Sequence, residues 1–253
     1  MRTSEPTSGT ARAGRASALL SRVRRRFLRS VLAAMAKGHP KDHGLVRLGS
    51  DYGGWWVPRS MLHDGTTAIS AGVGDDTTFD EELVARGVAV WCLDPTPHAA
   101  VHMARRMEVR PDLARSLHYL EVGLWAEDAT LRFYEPAHPT FVSYSILNTQ
   151  GTTGFFEAPC WSLETTLEHT GLSTVDILKL DIEGAEQAVL EQLIATRIRP
   201  TVLLVEIDLP LPEHRTLNLL RSLRAVGYEL VHAERWNLVL IQSHAIAALR
   251  PAA

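Results

Sequence analysis

Short, nearly continuous hydrophobic runs alternate along this chain with longer segments whose apolar residues recur at helical spacing. Runs that are bounded by Gly, Asp or Pro predict strands, and the helical segments predict amphipathic helices between them. The predicted strands are 67–71, 88–93, 117–122, 175–180, 201–207, 228–232 and 238–241, and the predicted helices are 79–86, 99–107, 185–196 and 217–226.

This order of elements predicts an α/β fold with a doubly wound, mostly parallel sheet. Strands that are apolar along their whole length are typical of a sheet covered by helices on both faces, and right-handed crossovers wind those helices around it. The last two strands are separated by about five residues around Glu234 and Arg235, which is too few for a helical crossover. We therefore expect a C-terminal antiparallel hairpin.

The alternation breaks down between Thr130 and Leu163. Residues 131–134 have the composition of a strand, and residues 148–154 are rich in turn-forming residues. We expect an irregular insertion at the carboxyl side of the sheet, where substrate contacts usually lie in this architecture.

The start of the chain differs from the rest because residues 1–41 carry ten basic residues against a single acid. They are predicted to form a basic, partly helical or disordered extension, and residues 42–253 the main domain. Leu19, Val23, Phe27 and Val31 recur every fourth position, which aligns them along one side of a helix. Two interpretations remain open: contact with an anionic surface, such as membrane lipid or a polyanionic partner, or packing on the chain's own domain.

Composition limits the class of protein. With 253 residues, 45% hydrophobic content and a net charge of −3, the chain is typical of a globular protein with no overall attraction to nucleic acid. No apolar run approaches the roughly 18 residues that a membrane span needs. Cys92 and Cys160 lie in apolar stretches and are interpreted as core residues, which fits a reducing, cytoplasmic setting.

A glycine-containing loop, Ser70–Asp76, follows the first predicted strand of the sheet and precedes a helix. Gly72 and Gly74 allow a ligand to approach the backbone closely, although a plain tight turn also explains them. Thr77 stands where a nicotinamide-binding fingerprint has Gly or Ala, and the acids at 75 and 76 would repel a pyrophosphate. The loop is compatible with the cationic sulfonium of S-adenosylmethionine.

Carboxylates end three of the predicted strands. Asp94 lies twenty positions after Gly74, where an acid accepts both ribose hydroxyls of an adenosine; otherwise it is a turn residue before a proline. Asp181, Glu183 and Glu186 gather after a later strand, and capping of the next helix accounts for the last of them. Glu206 and Asp208 end the neighbouring strand, so the cluster is also a candidate Mg²⁺ site.

Five segments, in order, resemble the FkbM family of methyltransferases over about residues 48–208. They are GSDYGGWWVP, SAGVGDDTTFDEEL, CLDPTP, PCWSLETTLEHTG and LKLDIEGAEQAVLEQL. The C-terminal hairpin is also typical of methyltransferases of this fold class. The resemblance implies S-adenosylmethionine as the cofactor.

The resemblance also assigns roles to residues. Gly72 and Gly74 would line the methionine part of the cofactor, Asp94 would hold the ribose, and Val122 and Gly123 would border the adenine. Asp181 would lie beside the sulfonium or the acceptor hydroxyl. Ser70 stands where many methyltransferases of this fold have an acid, and Asp181 is the candidate for the missing carboxylate.

The predicted reaction is methyl transfer to a hydroxyl oxygen of a small molecule or saccharide. An alcohol needs a general base, and the candidates are Asp181, Glu183, Glu206 and His214. The alternative is a non-catalytic module that binds the cofactor or a partner. A nicotinamide-dependent oxidoreductase is disfavoured by Thr77 and the hairpin, and nucleic-acid methylation by the confinement of basic residues to the tail. Oligomeric state is left open.

An aromatic segment, Tyr52–Trp56, precedes the fold and contains two glycines. It is either a flap over the cofactor, hinged at the glycines, or a strand that buries its two tryptophans against the sheet. The sequence favours neither interpretation.

Overall fold

The computed structural model describes residues 23–36, 44–137, 144–148, 151–207 and 213–249. Residues 23–35 form helix α1. The other helices are α2 Thr78–Val84, α3 Pro97–Val109, α4 Leu163–Thr170, α5 Glu186–Ala195, α6 Glu213–Ala225 and α7 Ile246–Leu249, with single 3₁₀ segments at Arg59–Met61 and Pro111–Arg115. None of these helices is long and apolar enough to cross a membrane.

A seven-stranded sheet forms the centre of the protein, in the order β11-β12-β10-β9-β3-β4-β5. Its strands are β3 Thr67–Ala71, β4 Ala89–Leu93, β5 Leu117–Leu120, β9 Ile177–Leu180, β10 Val202–Glu206, β11 Tyr228–Glu234 and β12 Asn237–Gln242. Only β12 runs antiparallel to its neighbours, so the predicted fold and C-terminal hairpin are confirmed. The hairpin turn is shorter than expected, because only Arg235, in the left-handed region at φ 57°, and Trp236 separate the strands.

The sheet is buried on both faces, which explains its continuous apolar strands. In β10, Leu203 and Val205 pack into one core layer with α1, α4, α5 and α6, whereas Val202 and Leu204 pack into the other with α2 and α3. Complete burial of each such side chain contributes roughly 1.5–3 kcal/mol. The doubly wound arrangement follows from this two-sided burial.

A second, three-stranded sheet stands where we expected an irregular insertion. It consists of β6 Gly123–Leu124, β7 Ala129–Tyr134 and β8 Phe155–Trp161, in the order β6-β8-β7. The expectation was wrong for β8, and it also missed α4. Strand β8 turns Ala158 and Cys160 inward but places a proline between them, so its alternation is weak in the sequence.

Helix α4 has clear local signals at both ends. The side chain of Ser162 accepts a hydrogen bond from the backbone N–H of Thr165, which caps the first turn. Gly171 closes the last turn in the left-handed conformation, at φ 72°. Helix α4 was not among the helices predicted from the sequence, although both of these local signals are present in it.

Helix α1 packs on the domain through a face that the sequence did not single out. Leu28 and Leu32 are buried in the core, and the guanidinium of Arg25 lies 4.8 Å from the ring centre of Trp236. Val23 and Phe27, from the predicted apolar line, are 57% and 65% exposed. Leu19, which belongs to the same line, lies outside the described residues.

A β-hairpin, β1 Leu45–Leu48 with β2 Trp55–Pro58, covers one face of the sheet near its carboxyl end. Trp55 is buried in the core, and the indole N–H of Trp56 donates to Glu234. Tyr52, at the tip, is 81% exposed. The tryptophans therefore pack as strand residues, whereas Tyr52 and Gly53 lie at the mouth of a cavity.

Candidate active site

A cavity opens at the carboxyl ends of β3, β4 and β9. One side is formed by the glycine loop and the ends of the strands, and the other by apolar residues of the small sheet and residues 144–146. The lining includes Gly72, Gly74, Asp75, Asp76, Asp80, Asp94, Gly123, Leu124, Phe133, Tyr144, Ile146, Lys179, Asp181 and Glu183.

The glycine loop requires glycine at position 72 for a structural reason. Gly72 has φ +84°, and a Cβ there would collide with the backbone carbonyl of Asp181. Gly74, at φ +57°, has no neighbouring atom within 4 Å of where a Cβ would stand. The first glycine lets two loops approach each other, and the second leaves open space beside the cavity.

Asp94 holds the glycine loop in place. One of its carboxylate oxygens, Oδ2, accepts from the backbone N–H groups of Val73 (2.9 Å) and Gly74 (3.0 Å). The other, Oδ1, accepts from the backbone N–H (2.9 Å) and hydroxyl (2.6 Å) of Thr96. A carboxylate has about four acceptor positions. Asp94 lines the cavity but already uses four donors of its own chain, so its contact with a ribose stays a prediction.

Lys179 joins the glycine loop to Asp181. Its ammonium group donates to the carbonyl of Gly72 at 2.7 Å and lies 3.4 Å from Oδ2 of Asp181. Burial opposes the charged form, but Asp181 and Asp80 outweigh it and raise the pKa of Lys179. The alternation along β9 that predicted Lys179 and Asp181 on one side therefore brings them into direct contact.

The other predicted acids separate into different surroundings. Glu183 lines the cavity with a positive φ of 50°, and its carbonyl accepts from the hydroxyl of Ser145. Glu186 accepts from the backbone N–H groups of Ile182 and Gly184, and burial raises its pKa to about 7. Its carboxylate therefore holds the loop that precedes α5, and the N-cap position, Ala185, makes no side-chain capping bond.

Glu206 lines a smaller neighbouring cavity with Leu147 and Ile207. His214 is exposed on α6, and Asp208 lies outside the described residues. Within the part of the chain that the structure describes, no three acidic, His or Cys side chains are grouped as metal ligands. The structure therefore gives no support to the Mg²⁺ expectation.

Of the residues predicted to border the cofactor, Gly123 lines the cavity, whereas Val122 is buried in the core beside it. Ser70 is 1% exposed beneath the glycine loop. Sequence analysis missed Asp80, which is 2% exposed and lines the cavity from α2. The available signal was its place on the apolar face of α2, one turn before Leu83 and Val84.

The electrostatic character of the cavity follows from its lining. Among the described residues it contains six carboxylates, from Asp75, Asp76, Asp80, Asp94, Asp181 and Glu183, and one ammonium group, from Lys179. In a site that is partly shielded from water, such an excess attracts cations and repels anions. The cavity therefore suits a positively charged ligand better than a pyrophosphate.

Aromatic rings form the opposite side of the cavity. Phe133 stacks on Phe156 with ring centres 5.3 Å apart, and Tyr144 meets Phe156 edge-on at the same distance. This wall supplies apolar contact area beside the acids.

Comparisons with solved structures return methyltransferases at low identity. An FkbM methyltransferase from Methylobacillus flagellatus KT is 12% identical with a TM-score of 0.46; the match covers 87% of this chain but only 59% of that one. Precorrin-6y C5,15-methyltransferase from Geobacter metallireducens GS-15 is 10% identical (TM-score 0.40; 72% and 82% covered). The Streptococcus mutans protein SMU.1697c, in complex with SAH, is 10% identical (TM-score 0.41; 71% and 88% covered).

The family assignment comes from the sequence. No curated protein matches the chain. A family model described as the methyltransferase FkbM domain, however, matches residues 59–230, which include the glycine loop, Asp94 and Asp181. This match spans more than half of the chain, and the chain therefore belongs to the FkbM family of methyltransferases.

Proposed function

We propose that the protein is an S-adenosylmethionine-dependent O-methyltransferase whose acceptor is a hydroxyl group of a small molecule or saccharide. Membership of the family supports methyl transfer. The observation that carries the choice of cofactor is the acidic cavity beside the glycine loop, with six carboxylates and one ammonium group among the described lining residues. S-adenosylmethionine has a sulfonium and an ammonium group, whereas nicotinamide cofactors bring phosphates that this cavity would repel.

The residues present fit this cofactor. Gly74 leaves the backbone accessible where the methionine part would bind, Gly72 lines the same cavity, and Asp94 is at the strand end that suits a ribose contact. Gly123 borders the region proposed for the adenine. When bound, S-adenosylmethionine supplies an electrophilic methyl group. The protein then has to align the acceptor oxygen with it and draw off the hydroxyl proton.

Asp181 is our proposed general base. Its side chain is 31% exposed, so it is accessible from the cavity, and the ammonium group of Lys179 lies 3.4 Å away. Glu183 lines the same cavity and is the second candidate. Glu206 is the third, although it lines the neighbouring cavity. An acidic site also favours a neutral acceptor over an anionic one.

The first test is calorimetric titration of the purified protein with S-adenosylmethionine and with NADH. We expect binding of S-adenosylmethionine alone. A panel of hydroxylated small molecules and sugars is then screened for release of S-adenosylhomocysteine. Binding without turnover on any acceptor would favour the non-catalytic module, and failure of the folded protein to bind S-adenosylmethionine would refute the proposal.

The role of Asp181 is tested with the acceptor that this screen identifies. We expect Asp181→Asn to lower kcat by about 10²–10⁴-fold, the usual contribution of general acid–base catalysis, while cofactor affinity changes little. Glu183→Gln and Glu206→Gln serve as matched controls with smaller effects. If Glu183→Gln or Glu206→Gln abolishes turnover and Asp181→Asn does not, the base is misassigned.

We infer, in addition, that α1 contacts an anionic membrane surface peripherally. Residues 23–36 contain four arginines and no acid, and Val23 and Phe27 are exposed on the side that faces away from the buried Leu28 and Leu32. Apolar side chains flanked by arginines are typical of helices that lie at a lipid interface. The buried thiols of Cys92 and Cys160 fit a cytoplasmic protein, since free buried cysteines are stable in a reducing compartment.

A further inference from the structure

A serine hydroxyl connects the two walls of the cavity. Ser145 lies in the short segment 144–148, and its hydroxyl donates to the backbone carbonyl of Glu183, in the loop between β9 and α5. Its neighbours Tyr144 and Ile146 line the apolar side of the cavity, whereas Glu183 lines the acidic side. The bond therefore ties the wall that offers apolar contacts to the wall that carries the proposed base.

The direction of this hydrogen bond is fixed by the surroundings of the hydroxyl. The backbone N–H of Leu147 donates to the same oxygen at 3.0 Å and occupies one of its lone pairs. A serine hydroxyl has a single proton, and the carbonyl of Glu183 can only accept it. The backbone of Ser145 is held as well, because both its N–H and its carbonyl pair with Tyr134 of β7. Ser145 is thus a fixed point of the apolar wall.

The loop that receives this bond needs support from outside. Glu183 has φ 50°, in the left-handed region that residues other than glycine rarely adopt. The carboxylate of Glu186 accepts from the backbone N–H groups of Ile182 and Gly184, on either side of it. The carbonyl of Glu183 receives the hydroxyl proton of Ser145. Strained backbone persists only where surrounding contacts determine it, so the conformation of this loop depends on a contact from the opposite wall.

We propose that Ser145 is a positioning residue for the acceptor, and this inference rests on the proposed function. With Asp181 as the base, the acceptor lies between that carboxylate and the side chains of Tyr144 and Ile146, which line the same cavity. The hydroxyl of Ser145 sets the separation of the two walls and so aligns the acceptor oxygen without touching the reacting atoms. Misplacement of a reactant by about 1 Å can lower a rate by about 10²-fold, even when the altered residue is remote from the chemistry.

The glycine-loop side of the cavity is held by other contacts. Asp94 accepts from the backbone N–H groups of Val73 and Gly74, and Lys179 donates to the carbonyl of Gly72. None of these bonds involves Ser145. Loss of its hydroxyl should therefore misplace the acceptor and leave the binding of S-adenosylmethionine nearly unchanged. This selectivity distinguishes a positioning role from a general loss of structure.

The test uses the full chain and four substitutions. Ser145→Ala removes the hydroxyl, Ser145→Thr keeps it, and Ser145→Val has the shape of threonine without it and replaces the alanine variant should that fail to fold. Ser243→Ala is the matched control, because this serine also donates to a backbone carbonyl, that of Gly227, at the opposite edge of the central sheet. The affinity for S-adenosylmethionine is measured by calorimetry, and kcat and KM with the acceptor that the screen identifies. Hydrogen–deuterium exchange of residues 182–185 and thermal unfolding report on the loop and on the fold.

We expect Ser145→Ala and Ser145→Val to raise KM for the acceptor by about fivefold or more and to lower kcat by about tenfold or more, while Kd for S-adenosylmethionine stays within about twofold of wild type. Exchange of residues 182–185 should become faster. Ser145→Thr should recover most of the activity, and Ser243→Ala should behave as wild type.

Unchanged acceptor kinetics in Ser145→Ala, an equal loss of cofactor affinity, or equal behaviour of the threonine and valine variants would overturn the positioning role and leave the proposed function standing. If wild type binds S-adenosylmethionine but converts no acceptor, the proposed function fails and the positioning role fails with it.

Discussion

Removal of the Asp94 carboxylate tests how the glycine loop is held. Asp94→Ala deprives the backbone N–H groups of Val73 and Thr96, both buried, of their acceptor, together with the half-buried N–H of Gly74. A buried donor left without a partner costs about 1–3 kcal/mol, so the two buried groups together cost about 4 kcal/mol. For a domain of this size, that loss lowers Tm by roughly 8–16 °C.

Asp94→Asn removes only part of the same hydrogen-bond network and should therefore destabilise the protein less. The amide keeps one oxygen acceptor, but its NH₂ group must face either the N–H of Thr96 or the N–H groups of Val73 and Gly74. Half of the network is therefore lost in either orientation, and we expect about half of the alanine effect, or about 2 kcal/mol.

The assay is urea and thermal unfolding followed by circular dichroism. Asp128→Ala is the control, because Asp128 also accepts from a backbone N–H and a hydroxyl but is exposed to solvent, so its Tm should change much less. If Asp94→Asn stays within about 0.5 kcal/mol of wild type, the range of an ordinary surface substitution, the carboxylate does not organise the loop.

Two further predictions concern other parts of the protein. Burial raises the pKa of Glu186 to about 7, so the folded state holds a proton that the unfolded state has released, and stability falls as pH rises from about 4.5 to 7. Glu186→Gln should flatten this part of the pH profile in urea titrations, and an unchanged slope would contradict the assignment. Val23→Ser with Phe27→Ser should reduce cosedimentation with vesicles that contain anionic lipid. The exposed Val109→Ser is the control, and equal binding to neutral vesicles would exclude the charge-based contact.

The central sheet could be predicted from the sequence because its strands are buried on both faces. Every residue of β9 is buried, so the segment has the pattern of an apolar run before Asp181 that only Lys179 interrupts. The small sheet has the opposite character. Arg132 and Glu157 pair across β7 and β8 on its exposed face, and the inward residues of β8 include the small Ala158 and Cys160. Half-exposed strands with small inward residues have weak periodicity, and pairing partners that are distant in sequence cannot be inferred from it.

The face that α1 buries illustrates another limit of sequence analysis. Val23 and Phe27 lie on one side of this helix and Leu28 and Leu32 on another, and both pairs have helical spacing. The sequence cannot say which pair the domain covers, because that depends on the position of the core. The structure buries the leucines.

In the candidate site, too, some residues could be predicted from the sequence and others could not. Strand ends are local features, so the sequence placed the glycine loop, Asp94 and Asp181 correctly at the carboxyl edge. Asp80 lies within a helix, where an acid normally faces water. Its burial becomes visible only when the fold brings Ser70 and Lys179 beside it. Residues whose surroundings come from other elements are the ones that sequence analysis misses.

Two side chains of opposite charge hold the glycine loop, one through its backbone N–H groups and the other through a backbone carbonyl. The carboxylate of Asp94 accepts from the N–H groups of Val73 and Gly74, and the ammonium of Lys179 donates to the carbonyl of Gly72. Each charge suits only one kind of backbone group, so the two residues cannot exchange places. Because these contacts fix the loop from both sides, Gly74 can leave open space at the cavity without losing its conformation. The loop therefore already has a fixed conformation, so ligand binding does not carry the entropic cost of ordering it.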